Sequence, residues 1–265
     1  MNWKTLDVQT DERGVARIRL NTPEKRNVLS ALMIAELTEM AGTIGNDSKT
    51  RAIVLSGAGS TFCAGADLNW MKAQVEADRV QRMREARKLA EMLQALNTIR
   101  APLIGRLHGG AFGGGIGMAC VCDVTLADST TKFCFAETRL GIIPATIGPY
   151  VLARMGEGNA RRVFMSARVF DAVEAERLGI VSRVVAAEDV DQAVAAEVAP
   201  YLQVAPGAVA AAKKLARDLG PRIDAEVIDD TIRRLADAWE GPEAKHGIAA
   251  FLDKQPPKWA QPIRG

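Results

Sequence analysis

Six of the nine residues at positions 109–117 are glycine, in the run His108-Gly109-Gly110-Ala111-Phe112-Gly113-Gly114-Gly115-Ile116-Gly117. Glycine inside an ordered element costs roughly 0.5–1 kcal/mol against alanine. Such a density is kept where something must come close to the main chain. The run lies between residues 102–107, which read as a buried strand, and the apolar segment 118–124. A strand that enters a glycine-rich turn and leaves through an apolar segment points to a fold built from strand-to-helix crossovers. Three uses of the run compete. A phosphate cradle would end in Lys-Ser/Thr, which is absent. A dinucleotide fingerprint needs G-x-G-x-x-G, and Gly110-Ala111-Phe112-Gly113 breaks that spacing. An oxyanion hole needs one N–H from this run and one from a second turn, both at helix N-termini.

The rest of the chain extends the α/β reading. Residues 14–20 alternate apolar and polar as a half-buried strand does. A polar loop covers 21–27. Ser30 is placed to cap a helix running to about Ile44, with Leu32, Met33, Leu37 and Met40 at helical spacing. Residues 51–56 read as a short apolar strand followed by a loop at 57–60. A long charged helix is predicted over roughly 75–99, with Val80, Met83, Ala86, Leu89, Ala90, Leu93 and Leu96 on one stripe. Beyond about residue 190 the strand signal stops. Alanine-rich helical segments at 189–203, 207–218 and 224–239 predict a helical region that packs on the core or covers a neighbouring subunit. The division expected is 1–190 as core and 191–265 as a helical C-terminal region for oligomerisation and active-site cover.

Charge and composition exclude several functions. There are 34 Lys+Arg against 32 Asp+Glu, a net charge of +2, so no nucleic-acid partner is implied. No apolar run approaches the roughly 20 residues of a membrane span. The start Met1-Asn2-Trp3-Lys4 lacks the order of a signal peptide, so a cytoplasmic protein is expected. Cys63, Cys120, Cys122 and Cys134 form no C-x-x-C pair and read as small buried thiols. His108 and His246 are the only histidines, too few for a His-rich metal site.

Two further segments bear on chemistry. Phe62-Cys63-Ala64-Gly65-Ala66-Asp67-Leu68 places small residues after a strand and loop and before a helix, leaving N–H groups within reach of a ligand, as many βα turns do. In Phe135-Ala136-Glu137-Thr138-Arg139-Leu140-Gly141-Ile142-Ile143-Pro144, Glu137 stands among apolar neighbours. An apolar setting raises a carboxyl pKa toward the range useful for proton transfer, whereas a capping role or an ion pair to Arg139 would be structural.

These segments together resemble the crotonase, or enoyl-CoA hydratase/isomerase, superfamily over nearly the whole chain. The resemblance begins at Asn21-Thr22-Pro23 and Arg26-Asn27-Val28-Leu29-Ser30. It passes through Ala64 to Leu68, Gly113-Gly114-Gly115, Cys122-Asp123, Phe135-Ala136-Glu137, Leu140 to Pro144 and Ala175 to Val181, and ends at Phe251-Leu252-Asp253-Lys254. It implies an α/β spiral of repeated ββα units with a helical C-terminal region, assembled as a homotrimer or homohexamer. It implies an acyl-CoA substrate, with coenzyme A entering as part of the thioester and neither metal nor redox cofactor. By position, the N–H groups of Ala64 and Gly114 are the oxyanion donors and Glu137 is the catalytic acid/base. Lys25, Arg26, Val28, Ala66, Asp67 and Leu68 match positions along the CoA path, and Phe251 and Lys254 match a C-terminal pair that reaches CoA. His108 falls where the family varies, and a structural role is expected for it.

The chain also departs from the family pattern. Hydratases of the superfamily carry a second glutamate two residues after the triple glycine, where this chain has Gly117. A single glutamate is similar to the isomerases that move a double bond from position 3 to position 2. A finer resemblance runs the other way. Asp67 to Lys72 and Glu137 to Tyr150 are similar to the bacterial methylglutaconyl-CoA hydratases and the isohexenylglutaconyl-CoA hydratases, many of which also have glycine at that point. Their substrates carry a distal carboxylate, for which Arg139, Arg84 and Arg87 are candidates here, against the plain alternative of a solvated helix face. Pocket depth is expected to depend on Trp70, Met71, Tyr150 and the C-terminal helices.

Overall fold

The structure, a computed structural model, describes residues 3–261. The strand expected at 14–20 is β2 (Val15–Leu20), in which Ala16, Ile18 and Leu20 are buried while Arg17 and Arg19 face outward. It pairs antiparallel with β1 (Leu6–Thr10) and parallel with β3 (Ala52–Gly57). Three more parallel strands, β4 (Leu103–Leu107), β6 (Val124–Asp128) and β9 (Arg183–Val185), complete a sheet ordered β1-β2-β3-β4-β6-β9. A second sheet holds β5 (Gly110–Phe112), β7 (Lys132–Cys134) and β8 (Phe170–Asp171). Single parallel bridges, Cys63 to Ala111 and Leu29 to Ala66, extend that small ladder into the preceding turns.

The helices follow in chain order: α1 (Ala31–Gly42), α2 (Leu68–Glu76), α3 (Arg79–Thr98), α4 (Gly114–Val121), α5 (Gly148–Phe164), α6 (Ala172–Arg177), α7 (Val190–Val198), α8 (Pro206–Leu219), α9 (Ala225–Glu240) and α10 (Pro242–Leu252). One path is repeated: a strand of the large sheet, a short strand or bridge of the small one, then a helix. β3, the Cys63 bridge and α2 make one turn, β4, β5 and α4 the next, and β6, β7 and α5 a third. A right-handed crossover between parallel neighbours enforces this winding.

The core lies on the helix-bearing face of the large sheet, where Leu37 and Met40 of α1, Leu93 and Leu96 of α3 and Tyr150 of α5 meet Ile18, Leu55 and Leu107. The opposite face is closed by α7, whose Val194 and Val198 pack on Val54, Ile104 and Leu126. The far side of α3 is covered by the chain's own C-terminal helices: Ala86 and Ala90 meet Ile232, Leu235 and Trp239 of α9, with Ala244 and Ile248 of α10 alongside. Helix α8 buries no residue, and Leu215 and Leu219 on it are 59% and 80% exposed. No helix among the described residues is long and apolar enough to cross a membrane.

The structure revises several element boundaries. The helix expected at 75–99 is α3, which starts at Arg79, and residues 75 and 76 end the separate helix α2. The Asp67 carboxylate accepts from Asn69 N and Trp70 N to start α2, and the Asp78 carboxylate accepts from Gln81 N to start α3. A second aspartate in position to cap starts a new helix instead of continuing the first. Val80, in the first turn of α3, is 75% exposed and lies off the buried stripe. The Ser30 cap is present, accepting from Met33 N at 3.2 Å, but α1 ends at Gly42 and Ile44 opens a 3-10 turn.

Candidate active site

Three turns converge on one cavity of about 250 Å³. The first is held by Asn27, a fully buried side chain. Its Oδ1 accepts from Thr22 N at 3.0 Å, and its Nδ2 donates to Ala58 O and Thr61 O at 2.8 Å each. Arg26 and Asn27 both sit at positive φ, 54° and 53°. That conformation is uncommon for non-glycine residues, with asparagine the readiest to adopt it. The result is that the Arg26 carbonyl faces the second turn and accepts from Ala64 N at 3.0 Å.

That bond reassigns an expected donor. The Ala64 N–H is already engaged within the protein, whereas the Ala66 N–H meets no acceptor among the described residues. Ala66 is a bridge partner of Leu29 and lines the cavity. The third turn supplies Gly114 as expected. Gly113 N donates to Cys134 O at 3.1 Å, but Gly114 N, the first of α4, has no acceptor among the described residues. The two turns touch closely: a Cβ on Gly65 would lie 2.8 Å from Phe112 O, and one on Gly114 would lie 2.6 Å from the Leu29 side chain. Two free N–H groups at neighbouring turns form an oxyanion-type donor pair.

Glu137 is delivered by the chain leaving β7. Phe135, two residues earlier, is locked against Phe164 and Phe170 with ring centroids 4.7 and 6.2 Å apart. Glu137 then opens a 3-10 turn, and Ile142 N donates to its carbonyl at 3.1 Å. The carboxylate lies on the glycine loop: a Cβ on Gly113 would be 3.0 Å from Oε1. Its Oε2 is shielded from solvent and has no hydrogen-bond partner among the described residues. Burial without a counter-charge disfavours the ionised form, and the pKa rises from 4.5 to about 7. Arg139 does not neutralise it, because that guanidinium donates to Ala167 O at 2.8 Å.

The remaining wall is apolar, including Leu29, Ile34, Met71, Leu89, Ile142 and Leu235, and is closed by Trp70 and Trp239 in a T-shaped pair 6.4 Å apart. Among the lining residues the only charged side chains are Glu137 and Arg139. Gly117, where a second glutamate would stand, is not open space. A Cβ there would meet Ile147 Cγ2 at 2.5 Å and Leu93 Cδ1 at 3.6 Å. Ile147 occupies the volume a second carboxylate would need.

The other candidates separate. Ala66, Leu68 and Phe251 line the cavity, Leu68 and Phe251 with about half their surface exposed. The Asp67 carboxylate caps α2, accepting from Asn69 N at 2.7 Å and Trp70 N at 3.0 Å, which fixes the start of that helix beside the cavity. Lys25, Arg26, Val28 and Lys254 lie outside the cavity wall. Of the three arginines considered for a substrate carboxylate, Arg87 is paired to Asp229 at 2.7 Å and Arg84 bonds Gln81 on the exposed face of α3. Only Arg139 lines the cavity, and no carboxylate pairs with it among the described residues. Trp70 and Met71 shape the pocket, but Tyr150 turns away, its hydroxyl meeting Ala90 O at 3.3 Å and Gln94 Oε1 at 3.2 Å. His108 bridges Arg106 and Gly59 O away from the cavity. All four cysteines are buried and free. Asn27 and Thr146, a buried hydroxyl on the cavity wall, carry no role in the sequence reading. The signal for Asn27 was an asparagine in a tight polar loop; for Thr146 none was present.

A two-turn donor pair beside a single glutamate with a buried carboxylate oxygen, on a spiral of parallel strands, defines a protein of the enoyl-CoA hydratase/isomerase family. That family's model matches residues 10–262, and the chain belongs to it. Enoyl-CoA hydratase ACTT6 of Alternaria alternata is 32% identical over 243 residues, covering 91% of this chain and 79% of that one. A solved enoyl-CoA hydratase from Shewanella pealeana is 33% identical with a TM-score of 0.79, covering 97% of this chain and 96% of that one. Pseudomonas aeruginosa AtuE is 37% identical with a TM-score of 0.77, covering 97% and 100%.

Two outcomes follow from the buried carboxyl and its closed neighbour. The folded pKa of Glu137, about 7, lies above the ordinary 4.5. Its contribution to stability is therefore fully present below pH 4.5 and lost as pH rises through 7. Glu137→Gln should match the wild type near pH 4 and exceed it at pH 8 by about 3 kcal/mol, as read by denaturant unfolding at both pH values. Gly117→Glu must displace Ile147 and should lower stability by roughly 2 kcal/mol or more without raising turnover. A stable, faster variant would show that Ile147 yields freely.

Proposed function

We propose that this protein is an enoyl-CoA hydratase acting on a short, branched enoyl-CoA that ends in a carboxylate, such as 3-methylglutaconyl-CoA. The observation that carries this reading is the Glu137 carboxylate, whose Oε2 is buried without a partner among the described residues, set in an apolar cavity against a glycine loop with free N–H groups. The thioester oxygen binds between Ala66 N–H and Gly114 N–H. Glu137, as carboxylate, takes a proton from a water that attacks Cβ. The π electrons move to the thioester oxygen as an enolate, where one donor of this type is worth about 10²–10³ in rate in other enzymes. The proton on Glu137 then passes to Cα, so one molecule of water is added and the enzyme is regenerated. A pKa near neutrality suits a group that must first accept and then return a proton.

Arg139 seats the distal carboxylate, since it is the one cation on the cavity wall and lacks an acidic partner. Leu68 and Phe251 at the rim, with Lys25, Arg26 and Val28 before the Ala64 turn and Lys254 after Phe251, take the pantetheine and nucleotide of coenzyme A. Assembly is as a homotrimer or homohexamer, for which the unburied helix α8 is the available surface. The single carboxylate also favours a second reading, a 3-enoyl to 2-enoyl isomerase, in which Glu137 moves one proton and no water is added.

The deciding assay follows 3-methylglutaconyl-CoA beside crotonyl-CoA, with product mass checked for one added water. Hydration is expected to prefer the carboxylated substrate, to fall as pH drops below about 7 and to be lost in Glu137→Gln. Arg139→Gln should narrow the preference about tenfold or more. No water gained on either substrate, with 3-enoyl and 2-enoyl thioesters interconverted, replaces the hydratase with the isomerase. Sedimentation equilibrium is expected to give three or six times the chain mass, and a monomer would refute the assembly.

A further inference from the structure

The hydratase reading leaves the attacking water with one carboxylate, Glu137, because Gly117 and Ile147 exclude a second. The cavity wall nonetheless holds another polar side chain. Thr146 is only 7% exposed and lines the same cavity. Its hydroxyl makes no hydrogen bond to any described residue, although a buried threonine hydroxyl ordinarily bonds a nearby carbonyl, as Thr125 does to Ile180 O at 2.6 Å.

Helix α4 sets the spacing between these groups. Gly117 N donates to Gly113 O at 3.2 Å, so the two glycines are one helical turn apart on one face. The Glu137 carboxylate lies against Gly113, and Ile147, the residue after Thr146, lies against Gly117. Glu137 and the 146–147 segment are thus offset along α4 by about one turn, ~5.4 Å. Two groups that share one water through hydrogen bonds of about 2.8 Å stand at most about 5.6 Å apart, the scale of one helical turn. A buried water is kept where two or more polar groups converge on it. Glu137 Oε2 is buried without a partner among the described residues, and the Thr146 hydroxyl, on the same largely apolar wall, is left to bond what enters the cavity.

We propose that the Thr146 hydroxyl holds the attacking water against Glu137, in the role a second carboxylate would fill at Gly117. The inference rests on the hydratase reading. Neutral and without proton-accepting power at this pH, the hydroxyl orients the water and leaves every proton transfer to Glu137.

The test compares wild type, Thr146→Val, which keeps the shape and removes the hydroxyl, and Thr146→Ser, which restores it. Two reactions are measured on each: hydration of 3-methylglutaconyl-CoA, and exchange of the Cα hydrogens of butyryl-CoA with D₂O, which needs Glu137 and the oxyanion donors but no attacking water. Thr146→Val is expected to lose about 10- to 100-fold in kcat for hydration, with KM and exchange within about threefold of wild type. Thr146→Ser is expected to recover most of the hydration. Hydration unchanged in Thr146→Val overturns the proposal. Hydration and exchange falling together in both variants also overturn it, because Thr146 then supports the fold or Glu137. A wild type that exchanges but adds no water to any enoyl thioester sinks the hydratase reading, and this role with it.

Discussion

The site depends on main chain touching main chain. Gly65 lies so close to the Phe112 carbonyl, and Gly113 to the Glu137 carboxylate, that side chains at those positions would separate the turns. The Cys63 to Ala111 bridge and the Asn27 hydrogen bonds hold the turns at that distance from outside. Backbone N–H groups are useful donors to a developing charge because they are already fixed and need little reorganisation. They remain free only if the surrounding chain does not capture them, and Ala64 shows the contrast: its N–H is captured by Arg26 O, two residues before one that is free.

The same closeness creates the reactive carboxyl. Glu137 is held by an aromatic cluster behind it and a glycine loop before it, and none of the nearby cations reaches it. Desolvation then works against the charge and lifts the pKa toward neutrality. Fold stability and chemistry pull in opposite directions here: the burial that destabilises the ionised protein also produces a group able to take and return a proton near pH 7.

Much of the architecture was legible because it is written in local periodicity. The alternation in β2, the Ser30 cap of α1 and the glycine density before α4 each depend on a few neighbouring residues. The division of α2 from α3 was less legible, since it turns on Asp78 capping a new helix in an otherwise helical pattern. The short strands β5, β7 and β8, three residues or fewer, carry no period to read and exist because the small sheet pairs them. Glu137 and Gly114 were visible as residue types in the right order, while the donor in the second turn was misplaced by two residues. Backbone bonding to Arg26, 38 positions earlier, decides it, and no side-chain pattern reports such a bond.

The sequence alone therefore determined the α/β winding, the glycine turn and the presence of one glutamate where two would be usual. Those follow from residue type and spacing along the chain. Only the tertiary structure decided which N–H groups are free, that Ile147 fills the space beside Gly117, that Arg139 and not Arg84 or Arg87 reaches the cavity, and that Thr146 lines it. Each is a question of which groups, distant in the chain, compete for the same few ångströms, and packing settles it.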